Sequence, residues 1–196
     1  MPDPAGAERE ASMAKTRILI VALLLLTIGA PGQTSRRREA PPPADAASVE
    51  SIVAALYASV SHAPDASPDF ERMRGIFLYV GMLVPPAKPG EEIKVSDVDG
   101  LSERYQKDVA ARKEKAEAAT GFFERETARR TDCFGNVCQV FSTYESRHTL
   151  SDATPFQRGI NSIQLLRNGK RWWIASVAWD VERPDNPIPA QYQPAR

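Results

Sequence analysis

The chain has 196 residues, 42% hydrophobic and 26% charged, long enough for one well-buried core and too short for two comfortable ones. Its 25 Lys and Arg are balanced by 25 Asp and Glu, so no net field gathers phosphate backbones or draws the chain onto an anionic membrane. Nucleic acid is therefore not an expected partner, and a membrane enters only through the N-terminal segment.

In that segment Lys15 and Arg17 precede the unbroken apolar run Ile18 to Leu26, which fades through Thr27 and Ile28 into Gly29, Ala30, Pro31 and Gly32. This is the basic, apolar and small-residue order of a secretory signal. The run falls short of the roughly 20 apolar residues that span a bilayer, so residues 1–32 read as a cleaved signal peptide that exposes Gln33. The mature protein is expected to be exported, periplasmic or secreted. Acid and proline before Met13 are foreign to such signals, and Met13-Ala14-Lys15 makes a more typical start. Residues 33–47, with Arg36-Arg37-Arg38 and Pro41-Pro42-Pro43 and no apolar periodicity, have the composition of a disordered linker.

Val49, Ile52, Val53, Leu56, Tyr57 and Val60 recur at spacings of three and four, one stripe of a first helix. After Pro64, Ser67 suits an N-cap and Pro68 the first helical position of a short second helix whose face carries Phe70, Met73 and Phe77. Pro85, Pro86, Pro89 and Gly90 break the chain, and Ile93 and Val95 then alternate with polar neighbours as a short strand or edge ribbon would. A third helix carries Leu101, Tyr105 and Val109 on one side and meets a natural stop at Gly121. From there the texture is of strands: Phe122 to Thr131, Val137 to Thr149, Gly159 to Leu166 and Trp172 to Val181, with turns at Gly135-Asn136 and Asn168-Gly169. Helices followed by an antiparallel meander predict an α+β domain and exclude a doubly wound parallel sheet. Arg183 to Pro194 is too rich in proline for a central strand and reads as a surface segment.

If Gly135-Asn136 is a two-residue type II′ loop, Phe134 faces Val137 and Cys133 faces Cys138. A non-hydrogen-bonded pair brings Cα atoms to about 4.5 Å, within reach of a disulfide that pins hairpin register. Redox-active thiols are the alternative. A metal site is disfavoured, because His62 and His148 are the only histidines available to join the thiols.

The segments GNVCQVFSTYESR (Gly135 to Arg147) and FQRGINSIQLLRNGKRWWIASVAWD (Phe156 to Asp180) resemble the strand meander of the nuclear-transport-factor-two-like, or SnoaL-like, superfamily, in an exported bacterial branch. The opening helix with Tyr57, the helix at Phe70 to Phe77 and GFFERE at Gly121 resemble the same layout. The resemblance implies a domain over residues 48–188, with residues 189–196 as a tail. It implies a cone: a curved antiparallel sheet with about three helices on its concave face and a pocket at the open end. The superfamily includes isomerases, dehydratases, cyclases, hydrolases, immunity proteins and silent adaptors, so no catalytic residue carries over.

Tyr57, Tyr105, Tyr144, Arg158, Gln164 and Trp179 are the residues expected around that pocket. Tyr144, Ser142 and His148 share a strand face and could supply a donor and a base; in the plainer reading Tyr144 packs and His148 is exposed. Arg158 suits a carboxylate or an acid neighbour on the surface, and Gln164 shares its strand face with Ser162, opposite Asn161. Regular alternation sends Trp172 and Ile174 to one face and Trp173, Val177 and Trp179 to the other, a strand covered on both sides. One cover is the helical layer, and the resemblance suggests a partner subunit for the other, hence a homodimer through the sheet face. Glu124 and Glu126 lie on one face and form a possible carboxylate pair, but edge-strand carboxylates are ordinarily surface groups. The chain carries no nucleophile elbow, phosphate loop, zinc-protease motif or dinucleotide fingerprint, and no cofactor is expected. Two readings stay open: a non-catalytic exported domain that binds a small apolar ligand, a peptide or a protein, and a cofactor-free lyase or isomerase working by acid–base chemistry.

Overall fold

The computed structural model describes residues 43–194. The signal peptide, the start at Met13 and residues 33–42 of the linker lie outside these residues. After a single 3-10 turn at Pro43–Ala46, Ser48 and Ser51 exchange hydrogen bonds of 3.1 and 3.0 Å between side chain and backbone, a reciprocal cap that opens α1 (Val49–Val60). This helix buries Val49, Ile52, Val53, Leu56 and Tyr57.

Helix α2 (Phe70–Ile76) starts later than the Ser67-Pro68 signal suggests. Its cap is Asp69, whose carboxylate accepts from the Arg72 N–H at 2.9 Å while its own N–H reaches back to Ser59 O at 2.8 Å. With no intervening loop, Phe77 begins strand β1 (Phe77–Val84) instead of ending the helix. Ile93 and Val95 form no strand. Three prolines have removed donors from the preceding loop, and the segment touches the sheet through one bridge, Leu83 to Ser96, at 2.7 and 3.0 Å.

Helix α3 (Val98–Glu114) is capped by Asp97 and stops well before Gly121. Ala116 turns left-handed at φ 54°, and the Glu117 and Ala116 amides close back on Arg112 O at 3.0 Å and Lys113 O at 3.1 Å. That pair of bonds satisfies the last carbonyls of the helix and ends it without a glycine.

Strands β2 (Phe123–Phe134), β3 (Val137–Arg147), β4 (Gln157–Arg167) and β5 (Trp172–Val181) form the predicted meander. The sheet order is β1-β5-β4-β3-β2, open at both ends. It is antiparallel except at β1, which pairs parallel to β5, so the sheet is mixed. Gly135 takes φ 58° in the hairpin turn, Cys133 opposes Cys138 with Cα atoms 4.1 Å apart, and the two form a disulfide.

Extra residues bend the sheet at Thr127 in β2, at Ala175 in β5 and between Phe77 and Met82 in β1. The extra residue at Ala175 corrects the alternation expected for β5. Trp172, Ile174 and Val177 all join the concave core with Trp179 packed against it, leaving Trp173 outside beneath the Arg171 guanidinium at 3.6 Å. The strand is therefore not apolar on both faces, and the tryptophans give no support to a partner subunit. The outer face carries part of the chain itself. Ile188 is 6% exposed, the Tyr192 ring stacks on Phe141 at 5.3 Å, and Thr143 Oγ1 donates to Tyr192 O.

Candidate functional site

The concave side of the sheet and the three helices enclose a cavity of about 450 Å³. Leu56 and Val60 of α1, Phe70 and Met73 of α2, and Val177 and Trp179 of β5 form its apolar walls. Each is placed by the helical or strand periodicity that builds the core. Tyr105, Arg112 and Thr120 line the cavity and also border a neighbouring hollow with Asp65 and Lys113, which marks the exposed end.

The polar residues gather on β2, β3 and β4. Glu124 is positioned through its backbone: its N–H donates to Ser61 Oγ at 3.0 Å, and the same hydroxyl reaches Glu124 O at 3.2 Å, tying β2 to the end of α1. The His62–Phe122 pair, at 2.7 and 2.9 Å, fastens the same junction. One carboxylate oxygen of Glu124 accepts from Ser146 Oγ at 3.1 Å and the other from Asn161 Nδ2 at 3.3 Å. Burial pushes its pKa up to about 7, against the lowering effect of these two donors. Glu124 is thus a carboxyl group that gains and loses a proton near neutrality while facing an apolar cavity.

Asn161 Nδ2 also donates to Tyr57 Oη at 3.1 Å, and Tyr57 Oη lies 2.6 Å from Ser142 Oγ. Ser142 in turn donates to Glu126, whose carboxylate is gripped by Arg129 at 2.8 and 2.6 Å. A continuous polar seam therefore crosses the concave face beneath α1, with every member bonded. Burial raises the Tyr57 phenol far above its ordinary value, so it remains neutral.

Tyr105, Tyr144, His148 and Trp179 line the cavity. Tyr144 is 1% exposed, its hydroxyl accepting from Gln157 Nε2 at 3.0 Å, and burial pushes its pKa up to about 12. Its ring end lies over Gly159, where an added Cβ would sit 2.6 Å from the Tyr144 oxygen, so the close approach requires glycine. His148 stacks on Phe156 at 4.1 Å, with Nδ1 3.3 Å from Gly121 O. Tyr57 stands behind the cavity in the seam. Arg158 and Gln164 are corrected: Arg158 pairs with Glu182 at 2.9 Å, and Gln164 shares the outward face of β4 with Ser162 while Asn161 points inward.

The sequence reading missed Glu124 and Asn161 as cavity groups. The strand face of both carboxylates was legible, and β2 is an edge strand as supposed, but α1 roofs the inner side of that edge. Among the described residues, no three His, Cys, Asp or Glu side chains stand together in a group that could hold a metal ion.

Three helices lie on the concave face of an open, bent sheet whose last four strands run as a meander. This is the open α+β layout that the resemblance to the nuclear-transport-factor-two-like superfamily implies. No family model and no curated protein matches the chain. Solved structures are similar to it. A nuclear-transport-factor-two-like protein of unknown function from Silicibacter pomeroyi DSS-3 is 15% identical, with 69% of this chain and 94% of that one covered and a TM-score of 0.43. One from Shewanella baltica OS155 is 13% identical, with 67% and 91% covered and a TM-score of 0.41. The beta subunit of benzoate 1,2-dioxygenase from Burkholderia mallei ATCC 23344 is 14% identical, with 74% and 97% covered and a TM-score of 0.48. At such identities the likeness is one of fold alone.

Proposed function

We propose that this is an exported protein whose nuclear-transport-factor-two-like domain binds a small, largely apolar molecule inside the cone. The observation that carries the reading is the cavity: about 450 Å³ with apolar walls, lined but not filled by Trp179 and Tyr144. A space of this size with a few polar groups on one side suits a compact organic ligand. Native mass spectrometry of the unreduced protein from a periplasmic extract tests it. The expected species begins at Gln33 and carries a small molecule that dissociates on activation; an uncleaved chain would remove the export claim, and empty protein that takes up no apolar compound would remove the binding claim. The same spectrum reads the oligomeric state, and a dimer through the outer sheet face has to accommodate the segment around Ile188 and Tyr192.

A second reading, a cofactor-free lyase or isomerase, is favoured by one observation. Glu124 combines a pKa of about 7 with a place in the cavity wall, the property a general base or acid needs at neutral pH. In this reading Glu124 moves the proton, Asn161 and Ser146 hold its carboxylate, and Tyr144 and His148 are walls of the site.

A further inference from the structure

Arg112 stands apart from the other charged groups of the cavity. Its guanidinium carries five donors and a permanent charge. Among the described residues its side chain makes one hydrogen bond, from Nε to Asp108 O at 3.4 Å, and no ion pair. Glu124 and Asn161, by contrast, already bond to Ser146, to Tyr57 and to each other, so that side of the cavity requires nothing of a ligand. The two positions also differ in depth: Arg112 lies on the last turn of α3 at the exposed end, whereas Glu124 lies against the sheet.

Building on the binding function proposed above, we propose that the ligand is an apolar carboxylic acid, its body among Leu56, Met73 and Val177 and its carboxylate paired with Arg112 at the cavity mouth. The arrangement suits an amphipathic anion because the apolar part is removed from water while the charged head stays at the exposed end, where desolvation is least costly. A guanidinium offers a carboxylate two parallel hydrogen bonds, which a neutral head group cannot match. Glu124, with its pKa of about 7, is only partly ionised at neutrality and opposes an entering anion less than a fully ionised carboxylate would.

Calorimetric titration of the mature protein with decanoate and with decanol, which share a chain length and differ in charge, tests the proposal. Decanoate is expected to bind roughly tenfold to a hundredfold more tightly. Arg112→Gln is expected to abolish that preference while leaving decanol binding unchanged, and Arg112→Lys to retain part of it. Equal affinity for the two compounds, a preference that survives in R112Q, or an equal loss for both compounds in R112Q would each overturn the anionic ligand and leave the binding pocket standing. Failure of both compounds to bind, with the fold intact by circular dichroism, would overturn the pocket reading as well.

Discussion

Glu124 is held by backbone bonds to Ser61 and by side-chain bonds from Ser146 and Asn161, so its ionisation is coupled to folding. In the unfolded chain it titrates near 4.5 and in the fold near 7, so between these values the folded state holds more protons. Its contribution to stability is therefore full below the lower value, is lost as pH rises towards the higher one, and stays lost above it. The loss is on the order of 2 kcal/mol, allowing for the part of the carboxyl that faces the cavity. Denaturant unfolding of the wild type and of Glu124→Gln across this range checks it. The variant is expected to lack the decline and to be the more stable protein on the alkaline side. Parallel curves would mean that Glu124 titrates as an ordinary carboxylate, and the acid–base reading would lose its premise.

Among the elements, the β2–β3 hairpin and strand β1 behave oppositely. The hairpin follows from local chemistry: a Gly-Asn turn, regular alternation and two cysteines in register. Its tip from Arg130 to Phe134 is exposed, so the disulfide acts on a small cooperative unit. Reduction is expected to cost no more than about 2 kcal/mol. It should speed amide exchange from Thr131 to Gln139 while leaving the amides of Glu124 and Asn161 protected. Hydrogen exchange with and without reductant measures this, and global unfolding on reduction would show that the bond supports the whole sheet. Strand β1 has no such local signature. Phe77 to Val84 is a nearly uniform apolar run interrupted by Gly81, with no alternation to separate strand from helix, and its parallel pairing to β5 depends on a partner almost a hundred residues away.

For the whole molecule, the chain beyond β5 decides what the outer sheet face can do. Ile188, Tyr192 and the bonds to Thr143 and Glu182 lay this segment over Phe141 and its neighbours. A chain truncated after Arg183 uncovers that apolar surface. It is expected to melt about 5 °C lower and to self-associate more strongly than the untruncated protein. Thermal melts and light scattering after gel filtration check both, and an unchanged Tm with unchanged mass would show that the segment contributes nothing to covering the sheet.

The sequence by itself determined those features whose cause is local. The α1 stripe, the four meander strands, the Gly135 turn and the opposed cysteines all follow from periodicity and turn chemistry within a few residues. Only the tertiary structure decided the features that depend on distant chain. Alternation put Asn161 and Gln164 on opposite faces of β4 without deciding which looks inward, and the extra residue at Ala175 shifted the pattern of β5 and moved Val177 and Trp179 onto the core side. Likewise, an edge-strand carboxylate is exposed or enclosed according to what lies above it. Because α1 lies above β2, Glu124 became a cavity group, while Arg158 found Glu182 and Gln164 turned to the outer face. Burial is a property of the assembled fold, and the shifted titration of Glu124 arises from it.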